Sequence, residues 1–350
     1  MAAARKEKAV TGPGLGVLQS GSVRPATQKN HLKLYREFEK WMGPRMNNLK
    51  QDPQMLDLEL KEYVEECFLE GENLGWAQHM VAAALYFHPR IGRGIMAQLP
   101  QTGQALRGFR RLDPPKARLP WPWPMVALIA NGLFLRGAAE AGLAVLLMFE
   151  LYLRPGEAFN IRGVSVVPDR METPVVYDII LNPWEAQSAS KTNEFDNALR
   201  LDLPRHRELG PAMERLLRRR LGPAWRAQQR AVADKDLNQA EKVFRLTPPE
   251  LTKLVKVVIK ENKVKLGDVH LYRVRHSGAS HDFVTKSRTL EEVRRRGRWR
   301  SFQSLRRYEK GARCSELMER LSEEAHAHAV RCSREIYGVV AGRRFPWAEP

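Results

Sequence analysis

The chain is poor in cysteine, in metal- or nucleotide-binding motifs and in long apolar runs, and each shortage removes a class of function. Only three cysteines occur in 350 residues, Cys67, Cys314 and Cys332, far apart and matching no metal-ligand spacing. An odd number of scattered thiols is no disulfide framework and suits a reducing compartment, so an intracellular protein is expected, nuclear if its source is eukaryotic. The most apolar stretch, AGLAVLLMFELYL from Ala141 to Leu153, is too short to span a bilayer and holds Glu150, so it reads as a buried core helix with no membrane partner. The opening MAAARKEKAV lacks the apolar run of a secretory signal. No Walker-type phosphate loop, HExxH or paired-cysteine motif is present, which leaves metal-assisted and nucleotide-driven chemistry unsupported. No cofactor and no metal are expected.

Positive charge is abundant. Lys and Arg number 58 against 40 Asp and Glu, a net charge of +18, which fits a polyanionic partner, nucleic acid ahead of an anionic membrane. Hydrophobic residues make up 43% of the chain, enough for packed cores. At 350 residues the chain exceeds what one core usually accommodates, so two domains are expected.

Residues 1–26 lack hydrophobic periodicity, are punctuated by glycine and proline, and read as a flexible tail. From Gln28, Leu32, Tyr35, Phe38 and Met42 recur three or four apart on one helical face, with Thr27 as N-cap. Further helices are expected from about Leu56 to Leu69 and from about Ala77 to Phe87, making 27–107 a helical domain. GFRRLDPPKARLPWPWP, 108–124, contains five prolines and four basic residues and reads as the interdomain linker. Two apolar helices follow, Met125 to about Gly137 and Ala138 to Leu153. The runs at 164–167, 175–181 and 198–203 are β-branched or alternating and suggest a small antiparallel sheet. Helices resume to the end, so the fold class is mostly α with a small antiparallel β-sheet: a helical N-terminal domain plus an α+β domain over 125–313 and a helical tail over 314–350. In that tail Leu317, Leu321, Ala325 and His328 fall at helical spacing.

Metal-free cleavage of a phosphodiester requires a nucleophile, cationic donors for the nonbridging oxygens and an acid for the leaving oxygen. Four fragments bear on this: LYLRPGE at 151–157, SKT at 190–192, YRVRHSGAS at 272–280 and GRWRSFQSLRRY at 297–308. In this order they resemble tyrosine recombinases of the phage-integrase type. The helical segment from Thr27 to about Gln104 resembles the family's core-binding domain, so the resemblance extends over roughly 27–310.

The resemblance implies a catalytic domain in which Arg154 and Arg275 hold the scissile phosphate, Glu157 supports the arginines, Lys191 protonates the departing 5′ oxygen, Trp299 donates to the phosphate and Tyr308 attacks phosphorus. The family pattern has histidine three residues before the second arginine; here that position is Tyr272, with His270 and His276 nearby as substitutes. Tyrosine donates a hydrogen bond but does not act as a cation or neutral-pH base as histidine can. The register pairing His270 with Arg273 also satisfies a His-x-x-Arg spacing but displaces SGAS, so Arg275 is preferred. Residues 286–313 carry eleven Lys or Arg against three Glu, and Arg294, Arg295, Arg296, Arg298, Arg306 and Arg307 are the expected DNA contacts. The expected partner is double-stranded DNA, clamped between the two domains, and the C-terminal helix is expected either to dock on a neighbouring protomer as a homo-oligomer or to pack on its own domain. The implied activity is DNA cleavage and rejoining through a 3′-phosphotyrosine, in site-specific recombination or integration of a mobile element; a non-cleaving DNA-binding protein of the same fold and a type IB topoisomerase-like enzyme are the alternatives.

Overall fold

The computed structural model describes residues 15–49, 52–88, 99–114, 119–186, 194–264, 268–299, 301–302 and 311–344. It divides into two compact units, 1–117 and 118–350, each with its own hydrophobic core.

The first unit is built from helices α1 (Pro25–Met42), α2 (Pro53–Leu69), α3 (Leu74–Phe87) and α4 (Pro100–Leu112). Proline occupies the first position of α1, α2 and α4, where its missing N–H costs nothing. Asp52 and Asn73 cap α2 and α3 by accepting from Gln54 N and Trp76 N. The start of α4 is capped from another helix. Asp57 of α2, buried, accepts from Gln101 N at 3.0 Å, Thr102 N at 2.9 Å and the Thr102 hydroxyl at 2.8 Å.

Three sequence expectations are corrected here. Helix α1 begins at Pro25, not after Thr27, and Arg24 precedes it without a side-chain cap. Residues 15–26 are not a tail: Val17–Ser20 is a helical turn, Leu15 and Ser20 are buried, and the Tyr86 hydroxyl donates to the Ser20 carbonyl. Helix α4 continues through Gly108 to Leu112, because Phe109 still has a core to enter and proline first appears at 114. The far end of the expected linker also belongs to a folded unit, the second, where Trp121 is buried and its N–H donates to Ser277 Oγ at 2.7 Å.

The second unit centres on α5 (Trp123–Leu135) and α6 (Ala139–Glu150), apolar almost all round. A sheet in the order β1 (Val166–Asp169), β2 (Val176–Leu181), β3 (Asn197–Arg200) follows, antiparallel throughout. Tyr177, Ile179 and Leu181 alternate into the core. Then come α7 (Leu209–Leu221), α8 (Trp225–Ala233), α9 (Pro248–Glu261), α10 (Tyr272–Val284), α11 (Leu290–Arg296), α12 (Gly311–Glu319) and α13 (Glu323–Val340). Capping boxes at Thr247 with Glu250 and Thr289 with Glu292 start α9 and α11. The mostly helical architecture with one small antiparallel sheet is the fold class read from the sequence.

The C-terminal segment is not one continuous helix: the chain breaks at Arg320 and restarts with Ser322 as N-cap of α13. Helix α13 packs on α5 of its own chain, burying Ala329, Cys332, Ile336, Val339 and Val340, and Tyr337 stacks on Trp123 with centroids 5.8 Å apart. Helix α13 thus packs on its own unit, one of the two placements expected for the C-terminal segment; of Leu317, Leu321, Ala325 and His328 only His328 is buried. Among the described residues no helix is long and apolar enough to cross a membrane.

Candidate active site

Close packing of α10 on α6 builds the site. A side chain at Gly278 would collide with the Phe149 carbonyl, so the small residues of SGAS let the two helices approach. That approach sets Arg275, one turn earlier on α10, beside the end of α6. There the chain turns through Leu151–Leu153 into the short helix Pro155–Ala158, at whose start the Glu157 carboxylate accepts from both the backbone N–H and the guanidinium of Arg154.

Arg275 is fully buried. Its terminal nitrogens donate to the carbonyls of Tyr152 and Gly297, and its guanidinium lies 4.7 Å from the Trp299 ring and 5.9 Å from the Tyr272 ring. A side chain at Gly297 would strike the Trp299 indole, so glycine there lets Trp299 fold back over the arginine. Arg154 donates from Nη1 to Glu157 Oε1 at 2.5 Å, and its backbone N–H donates to Oε2 at 2.7 Å. Glu157 Oε2 also accepts from Arg298 Nη2 at 2.5 Å and lies 3.7 Å from Arg275 Nη1. One carboxylate thus serves three guanidiniums.

The electrostatic consequences follow. Burial raises the Glu157 carboxyl, but Arg298, Arg275 and Arg154 overcome it and hold the group below its ordinary range. Burial, then Arg298 and Arg154, pull Arg275 down to about 10, while Glu157 opposes them. The Nε atoms of Arg154, Arg275 and Arg298 are buried with no hydrogen-bond partner. An under-neutralised cationic cluster with unused donors is a receptor for an anion, and guanidiniums match phosphate geometry.

Tyr272, at the position the family fills with histidine, acts electrostatically on Arg154 and packs edge-on against His276 at 5.0 Å. His270 accepts from Tyr272 N through Nδ1. Arg273, the alternative second arginine, is instead tied to the carbonyls of Leu119 and Asp268 and stacks over Trp121, so the structure places Arg275 and not Arg273 in the cluster.

The basic run is corrected in part. Arg296 is buried and donates to the carbonyls of Glu150 and Arg200, which makes it a brace of the fold. Arg298, with its side chain 4% exposed, belongs to the arginine cluster and not to an outer surface. Arg294 is paired with Glu291, and Arg295 is the exposed member, with its side chain 70% accessible. Lys191, Arg306, Arg307 and Tyr308 lie outside the described residues.

Beneath the cluster lies a polar network that motif spacing did not reveal. Glu150, fully buried at the end of α6, accepts from Arg205 Nε at 2.9 Å and from the Tyr337 hydroxyl of α13, and pairs with His206 at 2.7 Å. Asp282 of α10 accepts from the Tyr152 hydroxyl at 2.5 Å and from Arg205, and Arg288 lies 3.3 Å away. Burial raises the Glu150 carboxyl, but His206 and Arg205 reverse this and hold it at about 2. The one signal in the sequence was Glu150 itself, a lone acid in an apolar helix.

No family model matches the chain, and no curated protein matches it by sequence. Solved structures do match. The XerH site-specific recombinase bound to palindromic difH substrate, a post-cleavage complex, is similar at a TM-score of 0.54 and 16% identity, over 87% of this chain and 79% of that one. XerH bound to difH substrate in a pre-cleavage complex is similar at a TM-score of 0.51 and 15% identity, over 86% and 79%. The chain therefore shares the fold of these recombinases, mostly helical with a small antiparallel sheet.

Proposed function

We propose that this protein binds double-stranded DNA and breaks and rejoins its strands through a covalent tyrosine intermediate, as a site-specific recombinase or integrase. The observation that carries the reading is the meeting of Arg154 and Arg275 on Glu157 with Trp299 against Arg275, residues from three separate segments. In the proposed reaction Arg154 and Arg275 bind the nonbridging oxygens of the scissile phosphate. The Tyr308 hydroxyl gives its proton to His276, which substitutes for the family's histidine, its oxygen forms a bond to phosphorus as the bond to the 5′ oxygen breaks, and Lys191 gives that departing oxygen its proton. The phosphodiester energy is kept in the 3′-phosphotyrosine, so rejoining needs no nucleotide. The Tyr272 hydroxyl donates to the phosphate where histidine does so in the family.

A second reading, a DNA-binding protein of this fold that does not cleave, is favoured by one feature, Tyr272 in place of histidine. Incubation with nicked suicide duplexes separates the two. The expected result is a covalent protein–DNA adduct that is absent from Tyr308→Phe. DNA binding without an adduct on a broad library of duplexes would establish the non-cleaving reading, and an adduct with relaxation of supercoils but no pairing of two sites would establish a topoisomerase.

A further inference from the structure

Glu157 neutralises one of three guanidiniums, and the third belongs to Arg298, the residue that turns the chain at the end of α11. Arg298 sits at a φ of 53°, a left-handed conformation that glycine adopts freely and arginine does not. The conformation belongs to the end of α11, where the Trp299 N–H donates to the Arg294 carbonyl and the Arg298 N–H to the Arg295 carbonyl, a helix end whose turning residue takes a positive φ. The conformation turns the side chain inward: it is 4% exposed, donates to Glu157 Oε2 and, from Nη1, to the Arg296 carbonyl at 3.0 Å, and keeps a buried Nε without a partner. A buried guanidinium is not needed to satisfy Glu157, which already has Arg154 and Arg275. Adding Arg298 takes the four groups from a net charge of +1 (two arginines, one carboxylate) to +2 (three arginines, one carboxylate). Glu194, the other carboxylate acting on Arg298, is solvent-exposed and screened. Uncompensated positive charge held in one buried place marks a site prepared for an anion absent from the free protein.

We infer that Arg298 is a third phosphate-binding arginine, which supplies to the DNA phosphate in this cluster the positive charge that Tyr272 does not. The cluster then presents three guanidiniums and a phenol where the family resemblance implies two guanidiniums and an imidazole. The inference rests on the reading of this cluster as a phosphate clamp. It does not depend on strand cleavage.

The test is the salt dependence of duplex DNA binding by the full chain. Removing one phosphate-binding cation lowers the slope of log K against log salt by about 0.9. Arg298→Gly fits the φ of 53° without strain and removes a repelling charge, so it is expected to fold with a melting temperature equal to or above that of the unchanged protein, yet to bind DNA with a slope lower by about 0.9. Arg298→Lys retains the charge and is expected to keep the slope. Should Arg298→Gly prove unsuitable, Arg298→Gln reads the same slope with the side-chain stem retained. An unchanged slope in the glycine or glutamine variant overturns the inference, as does a lysine variant whose slope falls as far as that of glycine. Failure of the cleavage reading shows differently, as DNA binding with its full slope and no adduct at Tyr308.

Discussion

Arg275 donates from Nη1 to the carbonyl of Tyr152, and Tyr152 is itself held at a φ of 48° with a completely buried ring. The backbone of one strained residue thus anchors the arginine, while its hydroxyl is anchored in turn by Asp282 at 2.5 Å. A left-handed conformation costs a non-glycine residue on the order of 1–2 kcal/mol, offset here by the helix-ending bond from the Leu153 N–H to the Met148 carbonyl and by the buried ring and hydroxyl.

Replacing Tyr152 by phenylalanine isolates the hydroxyl. Tyr152→Phe leaves Asp282 with Arg205 and Arg288 but one donor short, which is expected to cost about 1–2 kcal/mol of stability. The Tyr152 carbonyl remains, so Arg275 stays in place and the salt slope of DNA binding should not change. Chemical denaturation and DNA titration of the same variant check both halves, and a changed slope would mean that the hydroxyl positions Arg275.

The contact of α10 with α6 is a sharper dependence. Gly278→Ala places a methyl group against the Phe149 carbonyl, where only backbone movement can make room. A loss of about 3 kcal/mol is expected, at the upper end for an overpacked core, together with weakened DNA binding because Arg275 rides on the same helix. A variant that melts like the unchanged protein would show that the helices can separate without cost.

These dependences show what could be read in advance. RPGE and RHSGAS carry their meaning locally: a capping pair at a helix start, and an arginine followed by residues small enough for close packing. The basic run did not. A count of arginines cannot distinguish Arg295, exposed at the end of α11, from Arg296, whose partners are the carbonyls of Glu150 and Arg200. Nor could spacing predict Arg298, since its inward turn depends on a positive φ immediately after Gly297. The network around Glu150 joins positions 55 to 187 residues apart, beyond any local periodicity. The first helix was misplaced by three residues because Pro25 starts it without a side-chain cap, whereas capping was sought at Thr27.

The Glu150 network also sets a pH dependence. Folding holds this carboxyl at about 2, against an ordinary 4.5, so at neutral pH the folded state gains from an ion that the unfolded state holds less favourably. The gain is fully present above about pH 4.5 and is lost progressively as the pH falls toward 2, where the folded carboxyl also takes a proton. Asp202 adds to the same limb: burial raises it, but His206, Arg288 and Arg296 hold it well below the usual carboxylate range. Removal of Glu150 should flatten the acid limb by roughly 3 kcal/mol. Glu150→Gln is therefore expected to be less stable than the unchanged protein at pH 7 and to lose less between pH 4.5 and 2. Parallel slopes for the two proteins over that window would remove Glu150 as the source.

In the first unit, Asp57 poses the corresponding question for a helix end. Its carboxylate accepts three hydrogen bonds from Gln101 and Thr102 while buried at 2% exposure, so it both satisfies the first N–H groups of α4 and ties that helix to α2. Asp57→Ala strands two backbone donors and a hydroxyl in a site closed to water, and about 2–3 kcal/mol of stability should be lost, more than for an exposed cap. Asp57→Asn keeps one carbonyl oxygen to accept and should recover part of the loss. Hydrogen exchange localises the effect: the amides of Gln101 and Thr102 are expected to lose protection in Asp57→Ala, while those of α5 and α6 are unchanged. If α5 and α6 exchange faster as well, the two units do not unfold independently and the division of the chain into separate cores must be abandoned as a description of its stability.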